Sequence, residues 1–448
     1  MNALTRLLSI PKVGTPIPLL FLCTHKHNPN KKTILTNNPK LNEFAKKLKS
    51  NTPYSEVKLS IKLKICLDYK NNERLRINVL ILLPTNCNYM FRKPTILLLF
   101  ICISAIAFSQ EYKNEIKQSA ITIIDSLTML QKKRAILNFN DTARVKWNNL
   151  PVGLRARAGI NIGSMSDEQR RLVHRMLSAS LSSQGYLKAT SIMHLDNLLN
   201  MYVDTLHSRK EMNDTLYQFM RDLKWSHQNY YLAFFGNPVT DKDWGYKLEG
   251  HHLSVNFTFH DQQLSVTPMF VGTDPAEYPI LEYAGWRVLS KEEDFGLKLI
   301  RTMSEKQKQK ATMSKEVPGD IITSAESGKR LIDYWGIKGS ELNASQQEVL
   351  KSIVREFVFN LVYEKATEEY GKILKAGVQN IYFGWIGSYE EKEPHYYILN
   401  GPTFLIEFDN NGGPRKAANH IHAIWREKGN EFGEDVLKKH YEAEHQKQ

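Results

Sequence analysis

Apolar residues recur at helical spacing from Ile116: Ala120, Ile123, Leu127 and Leu130 follow on one face of a 3.6-residue turn. Pro151 and Gly153 break this pattern. Ser166-Asp167-Glu168-Gln169 then reads as a capping box, in which the serine hydroxyl takes the Gln169 amide and the glutamine side chain reaches back. Leu172, Met176, Leu177 and Leu181 give that helix an apolar face, and Gly185 is expected to end it. A further helix carries Ile192, Leu195, Leu198, Leu199 and Tyr202. From Tyr230 the period changes. Residues 230–236 predict a strand closed by Asn237-Pro238. Residues 244–260 predict two strands meeting near Gly250, the second with strict alternation: Leu253, Val255, Phe257 and Phe259 on one face, His252, Ser254, Asn256 and Thr258 on the other. Residues 291–315 return to a polar, Lys-rich helix. Ser345-Gln346-Gln347-Glu348 reads as a second capping box, opening a helix with Leu350, Ile353, Val354, Phe357, Leu361 and Ala366. Strands are expected at 381–385, 395–399, 403–408 and 419–426, with a turn at 410–413 and a last helix from near Glu434. Strands and helices segregate more than they alternate. The expected fold is α+β: antiparallel sheet with N-terminal and intervening helices in a single large domain, helical over 110–225 and mixed over 226–448. No internal repeat is evident.

The region before residue 110 changes how composition is read. Met90-Phe91-Arg92-Lys93 is a short basic start, residues 95–107 are an apolar run, and Ala107-Phe108-Ser109 places small residues where a signal peptidase reads. Residues 90–109 are therefore expected to be a signal peptide that leaves Gln110 as the mature N-terminus, in a secreted or periplasmic protein. Residues 1–89, rich in Lys, Asn, Leu and Ile without a sustained period, are read as mis-translated upstream sequence or a poorly ordered extension. The formal net charge of +13 belongs to this leader. From Gln110 onward basic and acidic residues balance, so composition gives no case for nucleic acid as a partner. All four cysteines lie upstream of Gln110, which excludes disulfides, thiolate catalysis and Cys-based zinc sites from the mature part. No later stretch approaches the ~20 apolar residues of a stable membrane span.

His420-Ile421-His422 is the sharpest chemical signal. Residues two apart on a strand share a face about 6.6 Å apart along the chain, a spacing that lets two imidazoles converge on one ion. His252, on the polar face of its own strand, would complete a three-histidine set if the two strands neighbour. Such a set with an open position suits zinc or another divalent metal. The bland reading is histidines that are solvated or knit the sheet by hydrogen bonds. His251, on the face of Leu253, reads as a core histidine with one satisfied nitrogen. Glu407 sits among apolar residues, as a general base, a fourth ligand or the structural partner of Arg426. Arg426 would orient an anionic group, and Trp385 and Tyr396 would wall a cleft for a small-molecule or peptide ligand. Asp294-Phe295-Gly296 spells a kinase signature without its companion motifs, and no Walker or dinucleotide fingerprint occurs.

Several segments together resemble a bacterial family of secreted proteins known as the domain of unknown function DUF3500. They are Gln169-Arg170-Arg171 with residues 181–186, residues 244–246 leading into Gly250-His251-His252, Pro268-Met269-Phe270-Val271-Gly272, and Tyr396-Tyr397 with Gly401-Pro402. Most specific is Asn419-His420-Ile421-His422 with Trp425-Arg426, residues 430–433 and His440-Tyr441. The resemblance runs over nearly all of 110–448. It implies export and one architecture but no activity. Two functions stay open: a secreted metal-dependent hydrolase built on His252, His420 and His422, and a metal-free extracytoplasmic binding protein for a sugar or peptide. The segments at 250–256, 396–408 and 419–426 are expected to converge.

Overall fold

A computed structural model describes residues 62–68, 76–82, 111–261, 263–325, 331, 333–411 and 418–434. The expected signal peptide over 90–109, most of the leader, the 410–413 turn beyond Asn411 and the helix after Glu434 lie outside the described residues. The chain divides into two units, Met1–Leu97 and Leu98–Gln448. In the first, β1 (Lys62–Asp68) pairs antiparallel with β2 (Arg76–Leu82).

The second unit is α+β, built on one 13-stranded sheet. Its strands are β3 (Ile136–Leu137), β4 (Ile160–Asn161), β5 (Tyr231–Phe235), β6 (Asp243–Gly250), β7 (Leu253–His260), β8 (Gln263–Ser265), β9 (Met269–Thr273), β10 (Thr312–Ser314), β11 (Ile337–Lys338), β12 (Tyr382–Gly387), β13 (His395–Asn400), β14 (Phe404–Asn411) and β15 (His420–Glu427). The main path runs β10-β12-β13-β14-β15-β9-β7-β6-β5-β3. The sheet is mixed rather than purely antiparallel, because β3 runs parallel to β5 and β10 parallel to β12.

One face carries the main core. Leu253, Val255, Phe257 and Phe259 of β7 and Phe404, Ile406 and Phe408 of β14 pack with Ile116, Leu172, Met176, Leu350 and Phe357 from the helices. The other face is covered by two long loops. Trp147 packs there on Phe270 and Ile424, and Val317 and Ile322 pack on Tyr396, Ile398 and Leu405. The predicted alternation is observed from Leu253 to Phe259, with Ser254, Asn256 and Thr258 turned to these loops; His252, expected on that polar face, lies instead in the turn before β7.

Element boundaries depart from the periodicity in three places. The first helical stretch stops at residue 126, and a separate helix, Met129–Ala135, starts from a capping box at Thr128; Leu130 is therefore 64% exposed. Gly185 does not end a helix. It lies in the first turn of Ser183–Ser208, whose N-cap is Ser182, and an added Cβ would lie 2.0 Å from the Asn360 carbonyl oxygen. The later capping box belongs to Asn343 and Gln346, two residues before the expected one.

The strand order reads the same from either edge. Each half runs from a parallel edge strand through an antiparallel meander to the β9–β15 seam. Before each edge strand stands a short helix with its own capping box, Thr128/Gln131 and Ser304/Gln307. The buried Gln169 side chain donates to Gln131 Oε1 and the Ser126 carbonyl at 3.0 and 2.8 Å; Gln346 does the same to Gln307 Oε1 and the Thr302 carbonyl at 3.1 and 2.9 Å. Tyr246 stacks on Phe257 at 4.7 Å, and Tyr397 on Phe408 at 4.9 Å. A reciprocal bridge joins the helix pairs: Ser182 N–H donates to Asn360 O and Val362 N–H to Ser180 O, at 3.0 and 3.1 Å. The unit is thus an internal structural repeat, the same order of elements standing on either side of the antiparallel seam. This corrects the expectation of no repeat.

Candidate metal centre

The β9–β15 seam brings the three predicted histidines together. β15 places His420 and His422 on the loop face, and His422 lies opposite Gly272 of β9. β9 also pairs with β7, whose entry is the two-residue turn at His251 and His252. His252 adopts a left-handed backbone with φ 59°, a conformation that strains a residue with a Cβ. It is held by its N–H donating to Asn149 O at 3.0 Å and its carbonyl accepting from Gly272 N at 2.7 Å.

One nitrogen from each of His252, His420 and His422 lies within 4.8 Å of the others. His252 Nε2 and His420 Nε2 are 2.8 Å apart. The ring centroids stand 4.7 to 5.1 Å from one another. Gly272 makes the room: a Cβ there would meet Ile421 O at 2.7 Å, His252 Cδ2 at 3.0 Å and His422 Cδ2 at 3.2 Å.

Electrostatics favour a neutral, ligating His252. Burial, followed by the neighbouring His251, His420 and His422, pushes His252 well below the usual histidine value. Burial also pulls His422 down, but the hydrogen bond and charge of Asp320, with Asp409 and Asp274, outweigh it and leave His422 raised. His422 Nδ1 lies 2.7 Å from Asp320 Oδ1, the carboxylate–imidazole contact that fixes tautomer and ring orientation in metal sites. Its Nε2 lies 3.4 Å from Asn149 Nδ2. Behind the turn, His251 Nδ1 meets Asp196 Oδ1 at 2.6 Å, and the His251 ring stacks on His252 at 3.8 Å. His251 is thus a core histidine with a bonded nitrogen.

Asp409 sits opposite His422 across β14 and β15 and is 0% exposed. Burial raises its carboxyl to about 7, with His422 opposing and Asp320 adding to the rise. Asp320, Asp409 and His422 offer donor atoms within 4.8 Å of one another.

Glu407 and Arg426 share the loop face but have other partners. The Glu407 carboxylate accepts from Ile322 N at 2.6 Å, from the Thr323 amide and hydroxyl, and from Tyr396 OH at 2.9 Å. Arg426 donates to Thr323 Oγ1 and O at 3.0 and 2.6 Å and to Glu431 at 2.7 Å. Together they anchor the loop that presents Asp320, a positioning role in place of the expected base, ligand or anion clamp. Trp385 and Tyr396 are each 0% exposed, so neither presents a ring to a cleft. Trp385 belongs to the helix-side core, stacked on His395 at 5.2 Å.

Sequence reasoning missed Asn149, Asp320, Asp409 and Gly272. Asp409 had a readable signal, since it shares the face of Glu407 two residues on. Asn149 and Asp320 come from loops, where periodicity says nothing of direction.

Among the described residues no helix is long and apolar enough to cross a membrane. A family model described as a protein of unknown function, DUF3500, matches residues 109–434. No curated protein and no solved structure matches the chain.

Proposed function

The chain belongs to the DUF3500 family, and from that premise we propose that it is an exported metal-dependent enzyme, a hydrolase, whose ion is held by His252, His420 and His422. The observation that carries this reading is the meeting of three imidazole nitrogens within 4.8 Å, from strands of both halves, at a turn with a strained histidine. The donor set fits a zinc-class ion, and burial keeps His252 in the neutral form that ligates. Such an ion would supply Lewis acidity toward a carbonyl or phosphoryl oxygen. His251, Asp320 and Asn149 fix the rings around it, and Gly272 keeps the space open. Export is supported by the signal-like run over residues 90–109.

Metal analysis of mildly purified protein tests the reading, with His422→Ala as control. Stoichiometric metal that disappears in the variant is expected; wild-type protein that shows none and takes up none on zinc addition would end it. One observation favours the metal-free alternative: His252 and His420 at 2.8 Å stand at hydrogen-bond distance. In that case the cluster serves a small polar ligand or only the sheet, and added zinc changes neither stability nor histidine NMR resonances.

A further inference from the structure

We propose that Asp320, Asp409 and His422 form a second divalent-cation site beside the three-histidine site, with the His422 ring as the wall between them. The inference rests on the preceding reading for the first ion alone. Asp409 is 0% exposed and lies against Asp320 in a space where both carboxylates and His422 bring donor atoms within 4.8 Å. Its side-chain donor is the Asn411 amide, 2.8 Å from both carboxylate oxygens, and among the described residues no Lys, Arg or His forms an ion pair with it. A buried carboxylate whose nearby counter-charge is at most one imidazole is costly, and a second carboxylate beside it raises that cost. A divalent ion removes both penalties.

The placement of the groups agrees. His422 turns Nδ1 to Asp320 and Nε2 to Asn149, so its two nitrogens face different partners. The Asp320 loop is not loose: Glu407 and Arg426 hold it through Ile322 and Thr323. The two carboxylates bring two negative charges, which match one divalent ion held between them. Ligand chemistry separates the occupants. Imidazoles alone suit Zn²⁺ and its neighbours, and two carboxylates with one imidazole suit a harder ion such as Mn²⁺, Mg²⁺ or Ca²⁺.

The experiment strips the full chain with chelator and titrates it with Zn²⁺ and Mn²⁺, reading bound metal by mass spectrometry and bound Mn²⁺ by electron paramagnetic resonance. Wild type is expected to take one equivalent of each. Asp409→Asn should lose the Mn²⁺ signal and keep zinc; His252→Ala should lose zinc and keep Mn²⁺. Asp320→Asn, altered at a half-exposed side chain, should weaken Mn²⁺ by ~10- to 100-fold and carries the test if Asp409→Asn does not fold. Unchanged Mn²⁺ binding in both aspartate variants would overturn the second site. So would a single equivalent weakened alike by His252→Ala and Asp409→Asn, which is one composite site. Loss of Mn²⁺ in Asp409→Asn with His252→Ala unaffected in zinc binding would uphold the second site and overturn the three-histidine reading. A stripped wild type that takes up neither metal overturns both.

Discussion

Removing Glu407 tests whether the loop that presents Asp320 is held as the structure indicates. The carboxylate is 0% exposed and accepts from two amides and two hydroxyls. Glu407→Ala leaves those donors without an acceptor inside the protein and deprives Arg426 of a nearby negative charge. Each buried donor left unsatisfied costs about 1–3 kcal/mol. Arg426 keeps Glu431 at 2.7 Å, and water can enter the vacated space, so the sum over the donors is not additive; we expect a loss of about 3–5 kcal/mol. Glu407→Gln keeps the volume and one acceptor oxygen, and should lose about 1–2 kcal/mol at neutral pH. The pH dependence carries a sign. Burial raises the Glu407 carboxyl above its usual 4.5, against the hydrogen bonds from Thr323 and Tyr396 and the charge of Arg426. The unfolded chain therefore releases this proton first as pH rises. Stability contributed by the protonated group is full below about 4.5 and declines as pH climbs from there through the folded value. Glutamine has no such proton, so the advantage of wild type over Glu407→Gln should be greatest near pH 4 and shrink toward pH 8. Urea unfolding followed by tryptophan fluorescence at several pH values measures both effects. A loss below about 1 kcal/mol for Glu407→Ala, or an advantage over glutamine that grows with pH, would refute the reasoning.

Other expectations are as direct. Gly272→Ala places a Cβ 2.7 Å from the Ile421 carbonyl oxygen and against both His252 and His422, and should lower stability by about 1–3 kcal/mol and zinc uptake at least ~10-fold; unchanged metal content would show that the rings have slack. Gly185→Ala drives a Cβ to 2.0 Å from the Asn360 carbonyl oxygen at the reciprocal bridge, and should cost about 3 kcal/mol in thermal unfolding, with an unaltered midpoint counting against it. Mass spectrometry of exported protein should find Gln110 at the N-terminus, free or cyclised, and peptides from residues 1–89 in cells would contradict the mis-start reading.

Much of the fold was legible because burial imposes a period. The alternation from Leu253 to Phe259 marked both faces of β7, and the i, i+2 pair His420 and His422 followed from strand geometry alone. Boundaries were less legible. Both Asn343 and Ser345 are good cap residues, with Gln346 and Glu348 three positions on, and tertiary contacts of Gln346 with Gln307 and Thr302 select the first. The parallel edge strands, two or three residues long, carry no signal at that length. Within the site, the three histidines were readable and the residues around His422 were not. Asp320 and Asn149 reach His422 from loops whose course is set by Glu407, Arg426 and Lys247, through contacts over roughly a hundred residues that no local pattern encodes, and by Arg157 within the first loop. Trp385 and Tyr396 misled because an aromatic residue on a strand reads alike whether its face meets a cleft or the core.

The internal repeat explains why the candidate site lies at the seam. In each half a long loop crosses the polar face of the sheet, pinned by buried charged groups: Lys247 and Arg157 hold residues 143–157 in the first, and Glu407 and Arg426 hold residues 320–323 in the second. The two loops meet over His422, Asn149 from one side and Asp320 from the other. Near the seam, then, polar groups from both halves face one space, and buried polar groups require partners. The symmetry is broken just where chemistry would need it broken. The turn Gly250-His251-His252 corresponds to Gly401-Pro402-Thr403 between β13 and β14, which has no histidine and no left-handed residue. Only one of the two corresponding turns joins a cluster of histidines, and Gly272, the residue that makes space for it, lies on the strand that pairs with both β7 and β15. The left-handed backbone of His252, held by Asn149 and Gly272, is a local feature of this turn alone, since the corresponding turn closes the same kind of hairpin without it.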